Sequence, residues 1–174
     1  MTTQATQIRD AIFSRLATLP GYATKRKTPV PQLQRNLLPA LSVYSPDEDW
    51  LPAGDNAFAG EPQFVNSATI RISILRGFDD PVVLDGSIDG DMDVIAETLL
   101  TDPTFIGQSG ALFEGITRIQ RRRAYPQDGE AYFAELRLDM TFQFHTTWPP
   151  AGISNAFEQM QVTADTTDPA TQVA

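Results

Sequence analysis

The chain has no cysteine, which excludes disulfides, thiolate nucleophiles and sulfur-ligated zinc. A single histidine, His145, excludes any site that needs two imidazoles and leaves at most one for a Ser-His-Asp arrangement. With no partner motif beside it, His145 reads as structural. No apolar run approaches the roughly eighteen residues that a membrane helix needs. Residues 1–7 also lack the charged and apolar regions of a signal peptide. The expectation is a protein with no membrane part, made in the cytosol. Positive charge is scarce as well: a net charge of -9 disfavours a nonspecific nucleic-acid binder, whose affinity rests on a basic surface. What remains is 174 residues, 41% hydrophobic and 20% charged, enough for one domain with a real core.

The clearest pattern runs from Tyr132 to Phe144. Tyr132, Ala134, Leu136, Leu138, Met140, Phe142 and Phe144 are apolar, and Glu135, Arg137, Asp139, Thr141 and Gln143 between them are polar. Period two is the signature of a strand with one face on a core and the other wet. At about 3.3 Å per residue the strand spans roughly 43 Å, far longer than usual. Ala68 to Arg76 repeats the pattern, with Ala68, Ile70, Ile72 and Ile74 against Thr69, Arg71 and Ser73. If the two strands pair antiparallel, Arg71 falls on the wet face near Glu135 or Asp139.

Two amphipathic helices accompany these strands. Ile8, Ile12, Leu16 and Leu19 mark one face of a helix from Thr6 to Leu19, capped by Thr3 or Thr6 and stopped by Pro20-Gly21. Its stripe either covers the domain's own core or fills a partner's groove. Ile88, Met92, Ile95 and Leu99 mark a second helix over Asp85 to Leu100, ended by Asp102-Pro103. Asp85, Asp89, Asp91 and Asp93 read as acids opposing the dipole at its start. The spacing of Asp89, Asp91 and Asp93 also suggests a calcium loop. Val94 stands where that loop needs glycine, and Leu100 where it needs a bidentate acid.

Between these elements lie segments without a sustained period. Tyr22 to Asn36, with Lys25, Arg26, Lys27 and Arg35, reads as a basic loop, either solvated or set against an acidic neighbour or DNA phosphates. Leu38 to Tyr44 is a short strand. Ser45 to Asn66 reads as a long acidic loop bearing Trp50 and Phe58, which either tuck under the domain or anchor a neighbouring subunit. Leu112 to Arg122 can form a strand whose Ile116 and Ile119 have opposite parity, the mark of a bulge or of a strand buried irregularly. Arg121, Arg122 and Arg123 follow, and adjacent residues of a strand alternate faces, so no single surface receives all three. They meet acidic residues of a neighbouring copy, solvent or DNA phosphates. Asp128-Gly129 signals a hairpin leading into the long strand. The expected architecture is α+β, a four-stranded antiparallel or mixed sheet with two helices on one face and a long β-hairpin. It occupies residues 1–147, with residues 148–174 a C-terminal extension, flexible or partner-binding, that holds one short element at Ile153 to Val162.

This order of elements is similar to that of the tail terminator proteins of long-tailed phages, a family that includes minor tail and tail-completion proteins of prophages. The residues that carry the resemblance are Leu38-Pro39-Ala40-Leu41-Ser42-Val43-Tyr44-Ser45-Pro46-Asp47-Glu48, Ala68 to Ile74, Asp91 to Glu97 leading to Leu100-Thr101-Asp102-Pro103, and the Asp128-Gly129 hairpin with its final strand. It covers about Ile8 to Phe144. The resemblance implies a non-enzymatic virion protein without cofactors, assembled in the host cytoplasm. As a homo-oligomer, a hexameric ring, it caps the tail tube protein, stops tube polymerisation and receives a neck or head-completion protein, while DNA passes the lumen without sequence-specific binding. The candidate interface comprises Trp50, Phe58, Arg71, Arg121, Arg122, Arg123, Glu135, Arg137 and Asp139. Another neck or connector subunit of the same fold is a close alternative. A small hydrolase or ligand-binding domain using Asp89, Asp91 and Asp93 lacks a phosphate loop, a nucleophile elbow and metal-ligand pairs.

Overall fold

The computed structural model describes residues 3–29, 35–54, 62–78, 81–107, 112–125, 127–128 and 131–148. Helix α1 is Gln4–Leu16, with Thr3 as its N-cap: the Thr3 hydroxyl accepts from the Thr6 amide. A three-residue strand β1 (Thr24–Arg26) is followed by β2 (Ala40–Pro52) and β3 (Gln63–Phe78). Helix α2 (Pro81–Leu100) leads through the one-turn α3 (Pro103–Ile106) to β4 (Gly115–Ala124), β5 (Gln127–Asp128) and β6 (Ala131–Thr147).

The sheet runs β1-β2-β3-β6-β4, with β5 paired beside it to β6. The fold is α+β as expected, but the sheet has more than the four expected strands. Thr24, Lys25 and Arg26 pair in parallel with Ala40, Leu41 and Ser42, a strand too short and polar to show a period. All other pairings are antiparallel. The long strand is present in full, since β6 pairs with β3 from Phe78↔Tyr132 to Gln63↔Thr147.

One face of the sheet carries the core. Leu41 and Val43 of β2, Ala68, Ile70, Ile72 and Ile74 of β3, and Leu136, Met140, Phe142 and Phe144 of β6 are buried there. Ile8, Ile12 and Leu16 of α1 and Ile88, Met92, Ile95 and Leu99 of α2 close over them. Each fully buried aliphatic side chain contributes about 1.5–3 kcal/mol. Phe105, Phe113 and Phe142 fill one end, with centroids 4.7 to 6.1 Å apart. Both helices therefore lie on one side, as their stripes predict.

Three boundaries differ from the sequence reading, the first being α1, which ends at Leu16 with Ala17 as its C-cap and not at Leu19. The segment read as a loop from Ser45 to Asn66 is largely strand: β2 continues to Pro52 and pairs with β3 down to Phe64, after a bulge between Tyr44 and Asp47. Helix α2 starts at Pro81, not Asp85, because proline at the first helical position loses no hydrogen bond. Asp89, Asp91 and Asp93 therefore sit within the helix, away from its positive end. Near the expected hairpin, Gln127 pairs with Tyr132 and Asp128 with Ala131; Gly129, Glu130 and the extension from residue 149 lie outside the described residues.

Candidate functional site

Among the described residues, the second face of the sheet bears a polar network and no helix layer. Antiparallel register sets Arg71 directly opposite Asp139, and the guanidinium binds both carboxylate oxygens, Nε to Oδ1 at 2.6 Å and Nη2 to Oδ2 at 2.8 Å. Asp139, with help from Tyr44 opposite on β2, raises the Arg71 pKa further above its ordinary value. One step along, Ser73 Oγ donates to Glu135 Oε1 at 2.7 Å, and Arg137 Nη2 donates to Glu135 Oε2 at 2.5 Å. Burial pushes the Glu135 carboxyl upward, but the hydrogen bonds from Arg137 and Ser73 outweigh it and hold the group below its usual range. Thr69 and Thr141 meet at 3.2 Å in the next row. Toward the β1 end this face closes over itself, where Leu38 and Phe133 approach Gly77 so closely that a Cβ there would lie 3.1 Å from either.

Thus Arg71, Glu135, Arg137 and Asp139, named from parity alone, are brought together on one surface. Their charges are satisfied mainly by one another, with the Nε of Arg137 left buried without a hydrogen-bond partner among the described residues.

The arginine run divides as adjacent residues of a strand must. Arg121 and Arg123 lie on the helix-bearing side and both bind Asp89 of α2. Arg122 lies on the open face, directly across from Arg137, and donates to Gln120 Oε1 at 3.1 Å. The division depends on a bulge between Ile116 and Arg118, which turns Ile116 and Ile119 to the same side despite their opposite parity. Asp91, the next acid on α2, is held by Arg76, with one of the two bonds at 2.8 Å. Two members of the acidic series are thus engaged by arginines of the sheet, a long-range pairing that helix-dipole reasoning misses.

From Ser45 to Pro52, β2 is exposed at every residue, and with β3 and the end of β6 it forms an arm. Trp50, 42% exposed, stacks on Trp148, 51% exposed, with centroids 5.6 Å apart and planes at 25°. Phe64 packs at 5.8 Å from Trp50. The Trp50 indole N–H donates to Glu48 at 2.9 Å, and Asn66, fully buried beneath, hydrogen-bonds Thr146 at 2.9 Å. Leu51, 64% exposed, follows Trp50 along the strand. Phe58 lies outside the described residues.

Two basic residues of the segment Lys25–Arg35 serve the chain itself. Lys25 Nζ donates to the carbonyls of Ala17 at 2.6 Å and Leu19 at 2.5 Å, closing the C-terminal end of α1, and Lys27 pairs with Asp10 at 3.0 Å. His145 pairs with Glu114 at the edge of the sheet. Among the described residues, no three His, Asp or Glu side chains converge as a metal site would require.

No family model and no curated protein matches the chain. Among solved structures, the chain is similar to one described as "Virion of native gene transfer agent (GTA) particle", at 13% identity and a TM-score of 0.43, over 78% of this chain and 94% of that one.

Proposed function

We propose that the chain is a structural subunit of a phage-like virion, one copy of a hexameric ring at the head-proximal end of the tail tube. There it stops further addition of tube protein, offers the joining surface for a neck or head-completion protein, and lets DNA pass without reading it. The observation that carries this reading is the stacked, half-exposed pair Trp50 and Trp148 at the far end of the long strands, on the helix-bearing side of a sheet whose other face pairs its charges among themselves. A surface ordered before binding loses little conformational freedom on association, and tryptophans are enriched among the residues that anchor interfaces. The order of elements, similar to that of tail terminators, supports the same reading. So do the hydrogen bonds and ion pairs that engage Arg71, Glu135, Arg137 and Asp139 with one another, because a face whose charges are already paired can meet a neighbour without leaving charges stranded.

The test combines light scattering across a concentration series with negative-stain images of tail tubes incubated with the protein. A ring-sized mass, or particles seated at one end of the tube, is the expected result. A monomer at every concentration that ignores tubes would overturn the proposal.

A further inference from the structure

Beyond the short β1, whose Lys25 and Arg26 lie beside the start of β2, the outer stretches of the sheet are opposite in charge. At one edge β4 carries Arg118, Arg121, Arg122 and Arg123 and no acid. At the other, β2 carries Asp47, Glu48 and Asp49 and no base. Register assigns these residues to faces. Asp47 lies opposite Thr69 and Asp49 opposite Ser67, while Arg118 lies opposite Thr141 and Arg122 opposite Arg137, so all four stand on the open face. Asp47, Thr69, Thr141 and Arg118 form one row straight across the sheet.

Among the described residues, both edges have room for another strand: β4 pairs only with β6, and β1 covers β2 only from Ala40 to Ser42. The stretch from Val43 to Pro52 is thus open on its outer side and equals β4 in length. A groove of about 620 Å³ runs beside Tyr44, Asp47 and Glu48, bounded by Thr6, Arg9 and Lys27. Arg9 and Lys27 are both paired with Asp10.

Strand directions complete the geometry. Because β2–β3, β3–β6 and β6–β4 are each antiparallel, β2 and β4 run in opposite senses. A second copy placed alongside in the same orientation therefore sets its β2 antiparallel to the first copy's β4, continuing the alternation of the sheet. Unpaired edges are templates for such pairing, and like charges along one edge disfavour its pairing with the same edge of another copy. The Arg122–Arg137 apposition leaves excess positive charge at the β4 edge, since Glu135 is already bound by Arg137 and Ser73.

We infer that copies of this chain join head to tail, β4 of one against Val43 to Pro52 of the next, with Arg118 and Arg122 on the same face of the seam as Asp47 and Asp49. Such a heterologous contact closes into a ring when its rotation closes. The inference rests on the ring reading and deepens it by naming the seam.

Two charge-reversed chains test it: one carrying Arg118→Glu and Arg122→Glu, the other Asp47→Arg and Asp49→Arg. Light scattering reads the assembly of each alone and of an equimolar mixture, with thermal melts establishing that each is folded. Each variant alone has two edges of one sign and should lose the oligomer, whereas the mixture should regain it with the two chains alternating. Variants that assemble alone as the wild type does would overturn this seam while the ring reading stands. A folded mixture that stays monomeric beside an oligomeric wild type would also overturn it. A wild-type chain that is monomeric at all concentrations and ignores tail tubes would remove the ring reading itself.

Discussion

Arg71 and Asp139 face one another across the two longest strands, joined by two parallel hydrogen bonds of 2.6 and 2.8 Å, with most of both side chains withdrawn from water. Asp139→Ala strands a guanidinium on the sheet and should cost about 2–3 kcal/mol, between an exposed pair and a fully buried one. Replacing both residues with Leu removes the stranded charge and should cost less than the single change. Urea denaturation of both variants decides, and an equal or larger loss for the double variant would contradict the pairing argument.

The stacked tryptophans of the arm offer a spectroscopic handle. Trp148→Ala removes the partner of Trp50, a contact worth about 0.5–1.5 kcal/mol locally. Near-ultraviolet circular dichroism should lose the signal of the coupled indoles, and Trp50 emission should shift to longer wavelength. Spectra that differ only by the loss of one independent tryptophan would mean the rings do not stack in solution.

Acid should weaken the fold over a definable interval. Hydrogen bonds from the Thr104 hydroxyl and from Arg15 bring Asp102 from an ordinary 3.8 down to about 2. Its pKa is lower in the folded than in the unfolded chain, so its contribution is complete above about pH 4 and disappears as pH falls toward 2. Glu135, also depressed, loses its contribution in the same direction. Denaturation midpoints measured between pH 5 and 2 should fall less steeply for Asp102→Asn than for the wild type; coincident slopes would exclude Asp102 as a source.

At the end of α1, the Lys25 ammonium holds two carbonyls that have no partner within the helix. Lys25→Met keeps the aliphatic stem and removes the donor, at a cost of about 1–2 kcal/mol. Thermal melts at low and high salt separate this from a screened surface effect, since a hydrogen-bonded cap should retain most of its worth in salt. Loss of the whole difference at high salt would argue against the cap.

The central strands are legible in the sequence because one face of each is buried and the other polar. From Ile70 and Met140, parity alone carries Arg71 to Asp139. The arm is not legible. Ser45 to Pro52 is exposed on both sides, so its side chains have no reason to alternate, and its strand character comes from pairing with β3. Thr24 to Arg26 is hidden for a related reason, being short, polar and at the edge. Parity separates Arg122 from Arg121 and Arg123, yet their partner Asp89 is 32 and 34 residues away, and nothing local distinguishes it from an acid that merely faces the helix dipole. Phe58 and the extension after Trp148 lie outside the described residues, so the roles read for them remain expectations.

The bulge in β4 makes the strand unequally tolerant of changes in length. Thr117 is the residue with no counterpart on β6: Ile116 stands opposite Phe142 and Arg118 opposite Thr141, its immediate neighbour in sequence. Excising Thr117 brings the two halves into an uninterrupted ladder with every other side chain facing as before. Excising Gln120 instead shifts the rest of the strand by one place and exchanges inside for outside, drawing Arg122 toward Asp89 and turning Arg121 and Arg123 to the open face. A scan of single deletions along β4 would therefore find one permissive position amid intolerant ones.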